Sequence, residues 1–403
     1  MKLNKMAFAI ATAVAAAAFA APVSAQISGD VIKIGFITDI SGVYSDIDGQ
    51  GGAEAIKMAI AEMGGAINGK KIELVVADHQ NKADVAASRA REWFDQQGVD
   101  VLIGGTNSGT ALSMAKVASE KKKIFIENGA GSARLTNEEC SPYTVHYAYD
   151  TVALAKGTGS AVVKQGGKTW FFLTADYAFG ASLESDTSTV VKASGGTVLG
   201  SVKHPLGASD FSSFMLQAQS SKAQIIGLAN AGGDFINAVK AANEFGVTKT
   251  AKLAGLLVFI NDIHSLTLKT TQGLYLTDSW YWDQNEQTRA WSQKYFSKQK
   301  KMPSSLQAAD YSAALQYLMA VKAVGSDDTD KVLAQMKKTK FTDVYQKNGY
   351  LRGDGRVVHD MYLFQVKTPA ESKYPWDYYK LVQTIPAEQA WTTKAESKCA
   401  AWK

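Results

Sequence analysis

Apolar residues along this chain alternate between short continuous runs and stretches in which they recur every three or four positions. Val31 to Ile37 reads as a strand, and Ala53, Ile56, Ala59, Ile60 and Met63 then repeat at helical spacing until Gly64, Gly65 and Gly69 turn the chain. Ile72 to Ala77 is the next run. A helix over Ala83 to Gln97 follows, with Ala86, Ala90, Trp93 and Phe94 on one face, and Val99 to Gly104 returns to strand. The alternation continues through Phe125. It is the pattern of a parallel sheet covered on both faces, whose strands read as unbroken apolar runs.

A polar interruption at Glu138 to Pro142 ends this series, and after Tyr149 the plan restarts. A helix to about Gln165 precedes strands at Thr169 to Thr174, Thr197 to Val202, Gln224 to Leu228 and Lys252 to Phe259, with helices from Phe179, Phe211 and Phe235 between them. Two similar α/β lobes are therefore expected. Beyond Gly273 the order breaks down into a strand-like Leu274 to Ser279, the aromatic Trp280, Tyr281 and Trp282, three helices between Gln287 and Lys338, and strands at Asp360 to Val366 and Tyr378 to Gln383. These late elements are expected to complete the two earlier lobes without a sheet of their own, so that the chain crosses between lobes more than once.

Candidate chemistry gathers between Val101 and Thr136. The runs VLIGG and IFIEN are each followed by small and hydroxyl residues: Thr106, Asn107, Ser108, Gly109 and Thr110 after the first, Gly129, Ala130, Gly131, Ser132 and Ala133 after the second. Each reads as strand, tight loop and helix start. The first amides of a helix have no intrahelical partner, and small side chains let an anion approach them. One such loop is ordinary in any parallel sheet; two in succession suit a carboxylate.

The first 25 of the 403 residues stand apart: Lys2 and Lys5, an apolar run from Met6 to Ala21, and Val23-Ser24-Ala25 form a secretory signal peptide, cleaved near Ala25 to leave a soluble periplasmic protein. Without Lys2 and Lys5 the chain has 41 basic and 38 acidic residues, and its formal charge falls from +5 to +3. Such a balance argues against nucleic acid. The two cysteines, Cys140 and Cys399, both lie in polar irregular segments of an exported chain, and a disulfide between them is expected.

Catalytic motifs are not found. The five histidines are scattered at no metal-ligand spacing, Gly105-Thr106-Asn107-Ser108-Gly109 puts serine one place too late for a nucleophile elbow, and neither Gly167-Lys168-Thr169 nor Gly157-x-Gly159 has the context of a phosphate or dinucleotide loop. The chain therefore reads as a binding protein rather than an enzyme, with no metal and no cofactor. A monomer is expected.

The opening IKIGFITDISG, the segment GGAINGKKIELVVADHQNKADVA, the loop VLIGGTNSGTA and the stretch FIENGAGSARLT together resemble periplasmic leucine/isoleucine/valine-type solute-binding proteins of ABC importers. The resemblance implies a type I periplasmic binding fold, α/β, in which two doubly wound parallel-sheet lobes joined by three crossovers close on a small molecule. It maps the first lobe onto residues 31–149 with 279–346 and the second onto 150–278 with 347–403. It also implies that Thr106, Asn107 and Ser108, with Gly129, Ala130, Gly131 and Ser132, hold the ligand carboxylate, Ser132 replacing a family threonine that aligns with Gly131. From the second lobe it implies Asp176, Tyr177, Phe179 and Asn230. Amino-acid binders of the family place an acid after the next strand to meet the ammonium group; here Leu256 to Phe259 stands there, and the nearest acid is Asp262. A desolvated ammonium without a partner is costly. An aromatic carboxylate, walled by Phe259, Phe179, Tyr177 and Tyr44, is thus favoured over the alternatives of a branched-chain or other amino acid, with an ABC permease as partner. A sensory protein feeding a membrane receptor would share the same pocket.

Overall fold

A computed structural model describes residues 27–402; the expected signal peptide lies outside them. Six strands form the first sheet: β1 (Val31–Thr38), β2 (Ala66–Ile67), β3 (Lys70–Asp78), β4 (Val101–Gly104), β5 (Ile124–Glu127) and β6 (Thr144–His146), in the order β2-β3-β1-β4-β5-β6. All neighbours are parallel except the short edge pair β2 and β3. The interior strands carry apolar side chains on both faces because both faces are covered. Every residue of β4 and β5 is buried. Ala86, Ala90 and Trp93 of one helix and Ala111, Met114 and Ala118 of the next lie against Ile37, Leu102 and Phe125 on one side, while Phe36, Ile34 and Ile103 face the other with Ala53, Ile56 and Ala59.

The second sheet holds β7 (Thr169–Ala175), β8 (Thr197–His204), β9 (Ile225–Ala229) and β10 (Lys252–Gly255), all parallel, in the order β10-β9-β7-β8. The apolar run Leu256 to Phe259, expected to prolong β10, leaves the sheet at Gly255; its residues are buried in an irregular segment that leads into the helix Ile260–Leu266. Continuous hydrophobicity marks burial, and burial alone does not require a strand.

One expectation is corrected outright. The late strands do make a sheet of their own: β11 (Tyr275–Asp278) pairs antiparallel with β14 (Met361–Val366), which pairs antiparallel with β15 (Tyr379–Ile385), while β12 (Tyr350–Leu351) and β13 (Val357–Val358) form a separate hairpin. β11 and β14 lie more than 80 residues apart, beyond the reach of any local periodicity. Helix Ser305–Val324 packs back on helix Gly49–Glu62, which returns the chain to the first lobe.

The expected disulfide is present. Cys140 and Cys399 are joined with Cα atoms 5.6 Å apart, and Lys398 adds a backbone bond to Asn137 Oδ1 (3.1 Å) and an ion pair with Glu138 (2.9 Å). The tail is thereby fastened to the first lobe. The hairpin approaches the same lobe, with the His146 amide donating to the Gly355 carbonyl at 2.8 Å. A bridge closing so long a loop restrains the unfolded chain, so Cys140→Ser is expected to lower unfolding free energy by about 2–5 kcal/mol. Thermal denaturation with and without reductant measures this, and reductant should shift the wild type but not the variant.

Candidate functional site

β4 and β5 are hydrogen-bonded neighbours in parallel register, from Val101 opposite Ile124 to Gly104 opposite Glu127, so the loops that follow them leave the sheet side by side. They touch closely. A Cβ at Gly129 would stand 2.7 Å from Thr106 Cγ2 and 2.8 Å from its Cα, leaving room only for glycine.

Within this pair of loops the polar groups divide between holding the loops and facing outward. Thr106 turns its hydroxyl back to β1, 2.5 Å from Thr38 Oγ1, and accepts the Asp39 amide at 3.0 Å. Asn107 caps the helix Ser108–Lys121, its Oδ1 accepting from Gly109 (2.8 Å) and Thr110 (3.2 Å). Its side-chain oxygen is therefore occupied, as expected of an N-cap asparagine. Ala130 is held from both sides, its amide by buried Glu127 and its carbonyl by His146 Nε2 at 2.8 Å. Burial pushes Glu127 well above the usual carboxylate range and His146 well below the usual imidazole range, so their 3.0 Å contact is one between groups driven toward neutrality.

Ser108 differs. Its hydroxyl accepts the Ser132 amide at 3.1 Å, which leaves the hydroxyl proton available to donate, and its own amide opens the helix. Among the described residues the Ser108 and Gly131 amides have no protein acceptor. Unpaired amides at a helix start and in an adjoining loop are groups that can receive an anion.

The second lobe meets this surface through the C-terminal ends of its strands. The Tyr44 hydroxyl contacts that of Tyr177, the Gly233 amide donates to the Val43 carbonyl at 2.9 Å, Ser132 Oγ lies 2.8 Å from Ser182 Oγ, and Asn261 Nδ2 donates to the Asp46 carbonyl at 3.1 Å. The lobes are closed on one another along this seam. Tyr44, Phe179 and Phe259 are buried within it, with the Tyr177 and Phe179 rings 6.0 Å apart. Phe179 reaches across to Gly131, where an added Cβ would lie 2.8 Å from its ring and 3.1 Å from that of Tyr149. Two aromatic rings thus fill the space that a side chain at position 131 would occupy.

The structure departs from the expected site at Asp176, whose side chain is 60% exposed and paired with Lys203 at 3.1 Å rather than turned into the seam. Its backbone precedes the tyrosine that does turn in, and one residue of register separates the two directions. Asn230 is fully buried at the end of β9, bonded to His204 at 3.1 Å. Tyr149 was not among the expected residues. It lies at the first crossover, donates to the Gly129 carbonyl at 2.6 Å and stands 6.2 Å from the Phe259 ring. Its only signal in the sequence was its position in the aromatic segment between β6 and the second lobe.

A concavity of about 840 Å³ also opens at the N-terminal ends of β7, β9 and β10, lined by Gln165, Gln224 and Lys252 among others. It lies away from both loops, and in open α/β sheets ligands bind outside the carboxyl ends of strands. We place the site at the seam.

Facing strand ends, chain crossings beneath them and a closed aromatic seam over paired amide loops are the architecture of a two-lobed binding protein of the type I periplasmic fold. The chain belongs to the periplasmic binding protein family, whose sequence model matches residues 31–373. A periplasmic binding protein from Burkholderia mallei is 71% identical, with a TM-score of 0.92 over 93% of this chain and 100% of that one. A branched chain amino acid ABC transporter periplasmic ligand-binding protein from Burkholderia xenovorans is 41% identical, with a TM-score of 0.82 over 92% and 100%. A solute binding protein from Rhodopseudomonas palustris solved in complex with benzoate shares the fold at 21% identity, with a TM-score of 0.81 over 92% and 99%. Among curated relatives, Leu/Ile/Val-binding protein homolog 6 of Brucella abortus is 27% identical over 198 residues, 48% of this chain. The chain spans about half the length of the curated relatives it matches first.

Two outcomes check this geometry. Asn107→Ala should cost about 1 kcal/mol of stability through loss of the cap, read by denaturant unfolding. Gly131→Ala should displace the Phe179 ring and favour the open form, raising the radius of gyration in X-ray scattering while unfolding temperature moves little; an unchanged radius would contradict the contact.

Proposed function

We propose that this is the solute-binding component of an ABC importer in the periplasm, which captures a small aromatic carboxylate between two closing lobes and presents the closed form to a membrane permease. In this reading residues 31–149 with 279–346 move as one lobe and 150–278 with 347–403 as the other. The observation that carries it is the pairing of the Ser108 and Gly131 donors with a seam of aromatic rings whose nearby acids Asp39, Asp234, Asp262 and Asp278 each accept from backbone amides.

The state of the acids favours an aromatic acid over an amino acid. Asp39 accepts the Gly42 and Tyr44 amides and Asn81 Nδ2. Both oxygens of Asp234 lie 3.1 Å from the Gly207 amide. Asp278 takes the Ser279 amide at 2.7 Å, and Asp262 takes the Phe259 amide at 2.9 Å. Burial raises the last two to about 7, which weakens them further as fixed negative charges. An ammonium brought into this seam would lose its water without gaining a dedicated partner. The benzoate held by the Rhodopseudomonas protein of the same fold agrees with this preference; the transporter class of the 41% identical Burkholderia protein supports the importer.

In the mechanism we infer, the carboxylate docks on the first lobe at Ser108 and Gly131. The second lobe then brings Tyr177, Phe179 and Phe259 over the ring. Only contacts made after closure shift the open–closed equilibrium, so selectivity falls mainly to the second lobe. No group-transfer step is required, and the protein acts by binding.

Calorimetry with benzoate, aliphatic acids and branched-chain amino acids tests the reading. Benzoate-type acids should bind, and leucine, isoleucine and valine should bind at least about tenfold more weakly, given the cost of an unpaired buried charge. Ser108→Ala should weaken all carboxylates by about tenfold through one lost charge-assisted hydrogen bond, whereas Phe259→Ala or Tyr177→Ala should alter the order of preference. Tighter binding of leucine than of any aromatic acid would replace this reading with an amino-acid binder.

A further inference from the structure

Asn230 lies beyond β9 on the strip of the second lobe that closes against the first. Three residues on, the Gly233 amide donates to the Val43 carbonyl, and the space around Gly232 is bounded by that carbonyl oxygen and the Tyr44 ring. The Asn230 side chain has one orientation available. His204 Nδ1 lies 2.8 Å from the Pro205 carbonyl oxygen, which can only accept, so Nδ1 carries the ring proton and Nε2 a lone pair. Burial disfavours the charged form of this ring. Asn230 Nδ2, 3.1 Å from Nε2, must then be the donor between them. The amide's other end, Oδ1, is buried and has no hydrogen-bonding partner among the described residues. Buried acceptors in folded proteins are matched, and a binding partner that supplies the missing donor gains what one without it forfeits.

The donor's chemistry follows from the surroundings. Oδ1 is a neutral carbonyl oxygen; of the acids nearby, Asp234 accepts the Gly207 amide and Asp176 is turned outward and paired with Lys203, so among the described residues no carboxylate on this strip is left to neutralise a cation. A neutral O–H fits where an ammonium does not.

We propose that Asn230 Oδ1 accepts a hydrogen bond from a ligand hydroxyl, so that the cargo is a hydroxylated aromatic carboxylate, with His204 as the positioning residue that holds the amide in this orientation. This rests on the aromatic-carboxylate reading above. Calorimetry on the full mature chain with benzoate, 2-, 3- and 4-hydroxybenzoate tests it. At least one hydroxylated acid should bind about tenfold to a hundredfold more tightly than benzoate. Asn230→Leu, which keeps the branching of the side chain but has no acceptor, should abolish that preference, read as the ratio of hydroxybenzoate to benzoate affinity within each protein. Equal binding of all four acids by the wild-type protein overturns the hydroxyl assignment alone, and so does a preference that survives in Asn230→Leu. Binding of none of the four overturns the aromatic-carboxylate reading together with it. If Asn230→Leu does not fold, the wild-type comparison decides.

Discussion

The constraint on which this molecule depends is the contact between two loops at adjacent strand ends. Neighbouring parallel strands lie roughly 5 Å apart, and the loops after β4 and β5 come closer still because Gly129 presents no side chain to Thr106. That approach lets the Ser108 hydroxyl take the Ser132 amide while the Ser108 and Gly131 amides are left without a protein acceptor among the described residues. Larger side chains at either loop would separate the donors and dilute the positive potential that the helix start contributes.

Beneath the loops lies a buried polar network that joins them to the crossovers. Glu127 and His146 hold the two ends of the Ala130 peptide, and Arg356, itself fully buried, donates to the Tyr149 carbonyl at 3.0 Å and lies 3.6 Å from Asp150. Tyr149 in turn donates to the Gly129 carbonyl. The two loops and the segment that leads the chain into the second lobe are thus stitched into one set of hydrogen bonds. Every member is costly to leave unpaired, so the set favours a small number of well-defined arrangements over a continuum. Such stiffness suits a device that opens and closes between discrete states.

Work is divided between the lobes. The first offers amides and a serine hydroxyl, groups that recognise charge and little else; the second offers rings and one amide side chain, groups that read shape and a single polar substituent. At Gly131 the absence of a side chain on one lobe is matched by the Phe179 ring from the other.

Local pattern determined a good deal by itself. Apolar runs and helical spacings located the parallel strands, small residues after VLIGG and IFIEN located the two loops, and two cysteines in polar segments located the disulfide, because burial and helix capping leave their mark within a few residues. Only the tertiary structure decided which polar groups remain free. Asn107 and Ser108 are adjacent and chemically alike in the sequence, yet one is consumed as a cap and the other keeps a proton to donate; Asp176 and Tyr177 are adjacent, yet one faces water and the other the opposite lobe. The antiparallel pairing of β11, β14 and β15 and the entry of Tyr149 into the site belong with these. Apart from the local Asn107 cap and the β14–β15 hairpin, these depend on contacts between residues distant in the chain, whose free energy no local periodicity encodes.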